Sequence, residues 1–298
     1  MTAEPESHSG RAPTRLPLLQ LLAGSVCISF SPIFIKLAAV PPDAAGFYRM
    51  LFAGLSLLLW IRLSGAPWRM PRRPLLLLAA GGVALGVDFM CWHRSIHLIG
   101  PGLSTLLANF QVFFTALFSW LLLGQRITRA FLGAVLLATT GLLLITGVDL
   151  PALAAGTRLG ILLALGTAVC YSGYILFLKQ AMEHRAPGGA ATMLMVSLVC
   201  TVFMGLVTAA GGATFAIPDA GSLLALLGIG VVSTTLGWTL ISSALSRTPA
   251  TFASLVLLLQ PALSFVWDVA IFHRPTAGHE VFGIALILFA IYLGSVRR

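Results

Sequence analysis

Long apolar runs alternate along almost the whole chain with short segments rich in Pro, Gly and Arg. A helix needs about 20 mostly apolar residues to cross a hydrocarbon core roughly 30 Å thick. The runs lack the two-residue alternation of membrane β-strands, so helices are predicted. We place ten membrane-spanning helices at 16–38, 44–63, 75–97, 101–123, 128–147, 157–181, 188–210, 221–245, 249–272 and 278–296.

The composition also favours a chain embedded in lipid. Of the 298 residues, 58% are hydrophobic and only 9% are charged, against roughly a quarter charged in soluble domains. Residues 1–15 are polar and are predicted to be a disordered cytoplasmic terminus. The apolar run that starts at Leu16 is too long for a signal-peptide core, so we interpret it as a retained first span.

The basic residues are unevenly distributed between the two sides of this predicted bundle. With a cytoplasmic N-terminus, most of the 18 Lys and Arg residues fall on cytoplasmic segments. The positive-inside rule therefore predicts that both termini are cytoplasmic. The same skew explains the net charge of +9 without a nucleic-acid partner. The basic residues left on the outer side are Lys36, Arg49, Arg94, Arg158 and Arg274.

A motif near the start of the chain returns in the second half. VCISFSPIFIKLA, residues 26–38, is matched by VCYSGYILFLKQA, residues 169–181. With five spans in each half, the two copies enter the membrane from opposite sides, so the repeats are predicted to be inverted. Inverted repeats are typical of secondary transporters, with the substrate site between the halves. The aligned pairs include Cys27 with Cys170, Ser29 with Ser172, Lys36 with Lys179 and, in a weaker later match, Thr115 with Ser264.

The sequence also resembles a known family. PIFIKLAAVPPDAAGFYRMLFAGLSLLL is similar to the lysine-ended first span and arginine-bearing second span of EamA-type members of the drug/metabolite transporter superfamily. SIHLIGPGLSTLLANFQVFFTALFSWLLLGQRITRAFLGAVLLATTGLLLI and SALSRTPATFASLVLLLQPALSFVWDVAIFHRPTAGHEVFGIALILFAIYL resemble that family's fourth and fifth spans, once in each half. The resemblance implies two five-helix EamA repeats, at 16–147 and 157–296, which together form one transport domain.

The resemblance further implies a bacterial cytoplasmic-membrane protein that exports small metabolites, most like the aromatic amino-acid exporter branch. We predict alternating-access export of aromatic and other neutral amino acids, with no cofactor, metal or catalytic role, and the sequence is compatible with a monomer. A flippase for lipids or polyisoprenoid carriers is the alternative, and an intramembrane enzyme is a remote one. The chain has Gln125 and Arg274 where the family often carries glutamate, so no salt bridge is inferred there.

An intramembrane hydrolase would need a histidine base at depth to activate a nucleophile. In the predicted topology all six histidines fall near span ends or in loops. His93 and His97 lie one helical turn apart, but two ligands are too few for a metal site. We therefore expect this pair at the membrane interface.

Ionisable residues inside the spans are candidates for function, because a charge at the bilayer centre costs roughly 3 kcal/mol or more. Asp88 in the third span and Asp268 late in the ninth are the candidate ion-coupling residues. Two interpretations of Asp88 stay open. It faces a cavity and contacts a substrate ammonium or carries a proton, or it pairs with a neighbouring helix or with a backbone amide freed by AAGGVALG, where close helix packing is expected. Lys36 and Lys179 are interpreted as anchors at span ends or as substrate contacts.

Polar and aromatic residues on the helices that the resemblance places around the cavity complete the predicted site. Aromatic rings supply apolar area and can take a cation on their faces. Pro32 and Pro261 each remove an intrahelical hydrogen bond, so they are candidate hinges, although plain shape accommodation explains them equally well. The predicted substrate-binding residues are Asp88, Trp92, Asn109, Gln111, Tyr171, Tyr174, Trp238, Gln260 and Trp267.

Overall fold

The computed structural model describes residues 15–124, 129–146, 154–184, 189–245, 256–257 and 259–296, and in these ranges the chain forms helices and no strand. The first half contains α1 (Arg15–Ser29), α2 (Ser31–Leu37), α3 (Pro42–Ser64), α4 (Arg72–Ile99), α5 (Pro101–Ala108), α6 (Gln111–Leu123) and α7 (Arg129–Thr146). The second half contains α8 (Ala155–Glu183), α9 (Gly189–Ala210), α10 (Ala220–Leu227), a π-helix π1 (Gly228–Gly237), α11 (Trp238–Leu245), α12 (Leu259–Phe272) and α13 (Gly278–Val296). The terminus predicted to be disordered lies almost wholly outside the described residues.

Seven helical segments of the described chain are long and apolar enough to cross a membrane. Three of them run through a short break or a change of helix type, at α1–α2, α5–α6 and α10–π1–α11. This confirms the prediction of an all-helical, multi-pass membrane protein. The seven segments are Leu16–Leu37, Pro42–Ser64, Arg72–Ile99, Pro101–Leu122, Ala155–Glu183, Gly189–Ala210 and Ala220–Ile241.

The predicted fifth, ninth and tenth spans correspond to shorter apolar helices, Leu132–Ile145, Leu259–Phe272 and Gly278–Leu293. At about 1.5 Å per residue, a helix such as α12 is roughly 21 Å long, less than a hydrocarbon core of roughly 30 Å. Most of residues 249–258, which belong to the predicted ninth span, lie outside the described chain. The count of ten spans therefore stays a prediction.

Two long spans are interrupted in the first half. α1 and α2 meet at Phe30, and Pro32 lies in the first turn of α2, where its missing N–H removes no helical bond. α5 and α6 meet at Asn109 and Phe110. Pro261 is buried in the first turn of α12. Pro32 thus coincides with a helix break, while the hinge roles of both prolines stay predictions.

The helices of the two halves pack against each other through the centre of the bundle. α4 packs along α8 and also contacts α9, while α1 and α2 pack along π1 and α11. α3 packs against α9, and α7 packs against α13. One apolar cluster, which includes Met50, Phe89, Tyr174 and Met204, joins α3, α4, α8 and α9. The residues next in sequence to Met50 and Phe89 are the buried charges of the candidate site.

Candidate functional site

Asp88 lies about midway along α4 and is only 3% exposed. Its Oδ1 has no hydrogen-bond partner among the described residues, and its backbone carbonyl accepts a bond of 3.2 Å from the hydroxyl of Thr167 on α8. Buried carboxylates in proteins are normally paired or hydrogen-bonded. Within the described chain, the interpretation that Asp88 is paired to a neighbouring helix through Oδ1 therefore has no contact to support it.

Arg49 on α3 is a second buried charge, and it is only 7% exposed. Its Nε donates a 3.1 Å hydrogen bond to the hydroxyl of Thr234. The guanidinium carbon lies 4.3 Å from the ring centre of Phe89 and 5.4 Å from that of Trp92, both on α4. Its Nη1 has no hydrogen-bond partner in the described chain. The guanidinium is therefore held in place but keeps donor capacity.

Arg49 and Asp88 lie in the same part of the bundle, because the Arg49 guanidinium packs over Phe89 and Trp92, one and four residues after Asp88 on α4. The two side chains nevertheless form no direct ion pair among the salt bridges found in the described residues. The rings of Tyr171 and Tyr174 lie 5.5 Å apart on α8. A guanidinium and a carboxyl group thus lie in one region with aromatic rings, each with an unused hydrogen-bonding atom.

The π-helix π1 positions the hydroxyl that holds Arg49. Long π-helices are rare, and π-turns are often found at functional sites. The Thr234 hydroxyl donates to the Ile229 carbonyl, five residues back, at 2.7 Å, and accepts the Arg49 bond. A Cβ at Gly230 would lie 2.6 Å from Cβ of Phe52 and 3.0 Å from the Arg49 carbonyl. Glycine is needed there because π1 and α3 approach so closely.

His93 is fully buried beside this cluster. Its Nδ1–H donates to the Pro42 carbonyl at 2.9 Å, and its ring stacks on Phe89 at 5.3 Å between ring centres. Its Nε2 has no partner in the part of the chain that is described. We expected His93 and His97 together at the interface. His97 is exposed, but His93 belongs to the protein interior.

Four of the predicted substrate-binding residues gather in this region: Asp88, Trp92, Tyr171 and Tyr174. Trp92 is buried, and its indole Nε1 has no partner in the described chain. The Tyr174 hydroxyl points to the Met193 sulfur at 3.7 Å. These residues lie on α4 and α8, which pack along each other between the halves.

Of the other predicted residues, Asn109 and Gln111 lie at the break between α5 and α6, Trp238 begins α11, and Gln260 and Trp267 lie on α12. Asn109 uses its side-chain amide to donate to the Thr105 carbonyl at 2.8 Å, and the carbonyl of Gln111 accepts a bond from Ser172 at 3.0 Å. Trp267 donates its indole N–H to the Ser29 hydroxyl at 3.0 Å and stacks on Phe30 at 4.8 Å. Trp238 and Gln260 are half-buried.

Asp268 lies on α12, which packs against α2 and α5, and it is only 1% exposed. One of its oxygens accepts the Gly102 N–H at 3.1 Å, and its carboxylate lies 3.8 Å from Lys36 Nζ and 3.9 Å from Arg274 Nη1. Arg274 also pairs with Glu280 at 3.3 Å. Position 274 therefore does form salt bridges, although the departure from the family's glutamate led us to infer none. Gln125 lies outside the described residues.

Arg49 and Thr234 are the residues of this region that the sequence interpretation missed. In the predicted topology Arg49 counts among the outer-side charges, because it lies near the start of the second span. The available signal was an arginine within the apolar run FYRMLFAG. Long basic side chains near span ends often reach the interface, and only the packed structure shows that this one does not.

A bundle of long apolar helices around buried charged groups is typical of multi-pass proteins that move polar solutes through a membrane. The chain belongs to the EamA-like transporter family, whose model matches residues 15–147 and 158–296. The predicted family is therefore confirmed. Membership makes the protein a membrane transporter, and its relatives are transporters as well.

Two relatives match this chain over nearly the whole length of both proteins. The threonine/homoserine exporters RhtA of Salmonella typhimurium strains SL1344 and LT2 are each 28% identical to this chain over 303 residues, covering 97% of this chain and 95% of the relative. A solved structure titled "Crystal structure of protein" superposes with a TM-score of 0.67 at 18% identity, covering 94% of this chain and 96% of that one. The last match shows a shared fold.

Proposed function

We propose that this protein exports neutral amino acids across the bacterial cytoplasmic membrane by alternating access. The observation that carries the proposal is the buried polar and aromatic cluster around Asp88, whose Oδ1 has no partner among the described residues. An ion buried without a partner in a membrane protein marks a substrate or ion pathway. The nearly full-length similarity to amino-acid exporters supports this choice of substrate.

The proposed architecture is ten spans in two inverted repeats, and two hydrogen bonds support it. The Ser264 hydroxyl donates to the Ser29 carbonyl at 2.9 Å, and the Thr115 hydroxyl donates to the Ser172 hydroxyl at 3.1 Å. The sequence repeat pairs Ser29 with Ser172 and Ser264 with Thr115. Exchange of the halves therefore converts one contact into the other, as a two-fold axis requires.

Helix packing supports the same relation. Under the repeat, α1 and α2 correspond to α8, and α4 corresponds to the segment α10–π1–α11. The packing of α4 along α8 then corresponds to the packing of π1 and α11 along α1 and α2. α3 corresponds to α9 and α7 corresponds to α13, and the two helices of each pair pack against each other, so exchange of the halves leaves both contacts unchanged. The order of contacts is what two halves related by a two-fold axis produce, and the five spans predicted in each half would make that relation an inverted one.

The proposed substrates are neutral amino acids, including aromatic ones. Threonine and homoserine are suggested by the names of the relatives. The aromatic preference predicted from the sequence is supported by Trp92, Tyr171 and Tyr174 around the buried charges, since rings pack well on rings. Both kinds of side chain belong in the same transport test.

The proposed orientation has both termini in the cytoplasm, on the strength of the basic-residue skew. In the proposed cycle the halves rock about the central cluster, the helix break beside Pro32 allows bending, and Pro261 in the first turn of α12 is the second proposed hinge. Asp88 is the proposed ion-coupling residue. For Asp268, which was predicted alongside it, the contacts to Lys36 and Arg274 favour a role in holding the helices together.

A lateral groove between α4 and α9 is the feature that would suit the alternative function, lipid flipping. The groove has a volume of about 370 Å³ and is lined by Val83, Leu198, Val199, Val202, Phe203 and Leu206. A flippase site should add basic contacts for a headgroup, and the described lining residues include none. The groove therefore does not favour a flippase over a metabolite exporter.

The direct test is transport by purified protein in proteoliposomes. Counterflow of labelled L-threonine, L-homoserine and L-phenylalanine is measured beside scrambling of a fluorescent phospholipid, with protein-free liposomes as the control. We expect accelerated exchange of at least one amino acid and no scrambling. No amino-acid exchange together with lipid scrambling would replace the proposal by the flippase.

A further inference from the structure

Four buried polar atoms without hydrogen-bond partners in the described chain come from one small region. They are Arg49 Nη1, Asp88 Oδ1, Trp92 Nε1 and His93 Nε2. Ring contacts connect three of the four residues, because Arg49 lies over Phe89 and Trp92 and the His93 ring stacks on Phe89. Asp88 directly precedes Phe89 on α4. Buried polar groups in native proteins are nearly always satisfied. Several unsatisfied groups in one place indicate a site for a polar ligand.

The chemistry of the two charges defines that ligand. A guanidinium is a planar, permanently charged donor that matches a carboxylate. An ionised carboxylate only accepts, and it suits an ammonium group. Arg49 and Asp88 form no ion pair with each other among the described contacts, so each keeps an atom available for a ligand. A ligand that carries both charges satisfies both residues at once.

We propose that Arg49 binds the α-carboxylate and Asp88 the α-ammonium of a zwitterionic amino acid, so that the site reads both charged ends of its substrate. This inference rests on the proposed function and specifies its substrate class. The bond from Arg49 to Thr234 at 3.1 Å fixes the guanidinium and leaves Nη1 for the ligand. Trp92 and Tyr171 border the site and contact the amino-acid side chain.

The proposed site predicts that a molecule with only one of the two charges is rejected. In an apolar interior, a ligand without the carboxylate leaves Arg49 uncompensated, and one without the ammonium leaves Asp88 uncompensated. Sites built for a polar group reject analogues that lack it far more strongly than they reject changes of apolar size. Selectivity for the zwitterion is therefore expected to exceed selectivity for the side chain.

The cluster around Asp268 shows what a buried carboxylate looks like when the protein itself satisfies it. Asp268 accepts the Gly102 N–H and has Lys36 and Arg274 within 4 Å. Arg274 Nη1 in this cluster is also without a hydrogen-bond partner in the described chain, so the contrast concerns the two carboxylates. Asp88 has an oxygen without a partner, which favours the Arg49 and Asp88 cluster as the ligand site.

The first test needs no variant. Proteoliposomes containing the wild-type protein exchange labelled L-threonine and, separately, labelled L-phenylalanine. Unlabelled competitors are the parent amino acid, its amide, which lacks the carboxylate, and its N-acetyl derivative, which lacks the ammonium. We expect both derivatives to compete at least about 100-fold more weakly than the parent. Equal competition by either derivative would overturn the inference while leaving amino-acid export intact.

The second test changes Arg49. Arg49→Gln is expected to weaken competition by the free amino acid about 100-fold and to leave competition by the amide nearly unchanged, so the preference between them collapses. Arg49→Lys, which keeps the charge, is expected to retain part of that preference. A preserved preference in folded Arg49→Gln would overturn the inference.

The matched control is Arg94→Gln, which removes a different partly buried arginine that pairs with Asp43 at 2.6 Å outside the cluster. It is expected to keep the wild-type preference. Size-exclusion profiles show whether each variant is folded, and if Arg49→Gln does not fold, the competitor series on the wild type decides. If the wild type exchanges neither amino acid, the proposed function fails as well and the inference falls with it.

Discussion

Asp88 and Asp268 are two aspartates buried to nearly the same extent in the same bundle, at 3% and 1% exposure. Asp268 receives a backbone N–H and lies within 4 Å of two basic side chains. Asp88 has an oxygen with no partner in the described chain, and the nearby Arg49 does not pair with it. Burial alone therefore does not distinguish a carboxylate that holds helices together from one that is available to a substrate.

The comparison shows that the hydrogen-bond and ion-pair partners of a buried carboxylate indicate its role better than its burial does. A satisfied buried charge stabilises the arrangement of the groups around it, and removing it leaves those groups uncompensated. An unsatisfied one costs stability and persists where the protein has a use for it. Opposite outcomes are expected when each aspartate is neutralised.

The largest expected effect is on transport by Asp88→Asn. Loss of the charge that receives the substrate ammonium should lower the exchange rate about 100-fold, equivalent to roughly 3 kcal/mol. Melting of the purified variant should be unchanged or higher, because Oδ1 has no hydrogen bond to lose. Counterflow in proteoliposomes and thermal unfolding in detergent measure the two quantities. Wild-type transport would remove Asp88 from the site.

The same variant tests ion coupling. If Asp88 carries a proton, the response of transport to a pH gradient across the liposome should disappear in Asp88→Asn together with the activity driven by it. Residual exchange is measured with and without the gradient, beside the wild type. An unchanged response to the gradient would exclude Asp88 as the proton carrier.

Asp268→Asn should show the reverse pattern. Lys36 and Arg274 lose their shared anion, but Lys36 is partly exposed and Arg274 keeps Glu280, so the free energy of unfolding should fall by about 2 kcal/mol. Transport per folded molecule should stay within a few-fold of the wild type. Thermal unfolding and counterflow are again compared, with Asp88→Asn as the matched control. A stable variant that no longer transports would make Asp268 a functional residue and end the contrast between the two aspartates.

Gly100→Ala sharpens the structural side of the comparison. Gly100 has φ +84°, and an added Cβ would lie 2.7 Å from Asp268 Oδ2. Backbone strain and displacement of the carboxylate together should cost about 2 kcal/mol. Gly65→Ala is the control, because Gly65 has φ +64° but nothing within 4 Å, and it should cost about 1 kcal/mol. Equal melting temperatures for the two variants would contradict the role given to Asp268.

Gly230→Ala tests whether the close packing of π1 on α3 beside Arg49 matters for transport. An added Cβ would meet Phe52 and the Arg49 carbonyl, which pushes π1 away from α3. Thr234 should then lose its bond to Arg49, and exchange should fall about tenfold, equivalent to roughly 1.4 kcal/mol. Gly173→Ala, at a helical glycine with nothing within 4 Å, should leave transport unchanged. Similar transport by both variants would show that the close approach of π1 does not matter.

The smallest expected effect comes from Thr234→Val. It removes the hydroxyl that accepts from Arg49, a contact worth about 1 kcal/mol, and the half-saturating substrate concentration should rise about fivefold. Thr235→Val is the control on the same π-helix, because Thr235 contacts Ser56 at 2.7 Å instead of Arg49. An equal rise in both variants would indicate a general disturbance of π1.

Much of the fold follows from the sequence because lipid imposes simple rules. Apolar runs, broken by Pro, Gly and charge, predict helix positions to within a few residues, as α3 at Pro42–Ser64 and α9 at Gly189–Ala210 show. The break beside Pro32 was also predictable, since proline cannot continue a helical ladder. The π-helix was not, because its small and branched residues differ little from those of an ordinary span.

The candidate site was predictable only in part. Asp88 and its aromatic neighbours stand out as charge and rings inside an apolar run. Whether such a charge has a partner depends on packing between distant segments, such as α3 with π1, and no local pattern encodes it. Arg49 illustrates the limit, since its place near a span end favours the interface, while Thr234, far along the chain, holds it inside.

The helix breaks place two short helices, α2 and α5, next to the same side chain, Asp268. These helices have 7 and 8 residues and are roughly 10 and 12 Å long. Each is joined to its longer partner by one or two residues, at Phe30 and at Asn109 and Phe110. Lys36 on α2 and the backbone N–H of Gly102 on α5 both contact the Asp268 carboxylate. One buried carboxylate therefore connects two short helices, each of which adjoins a helix break.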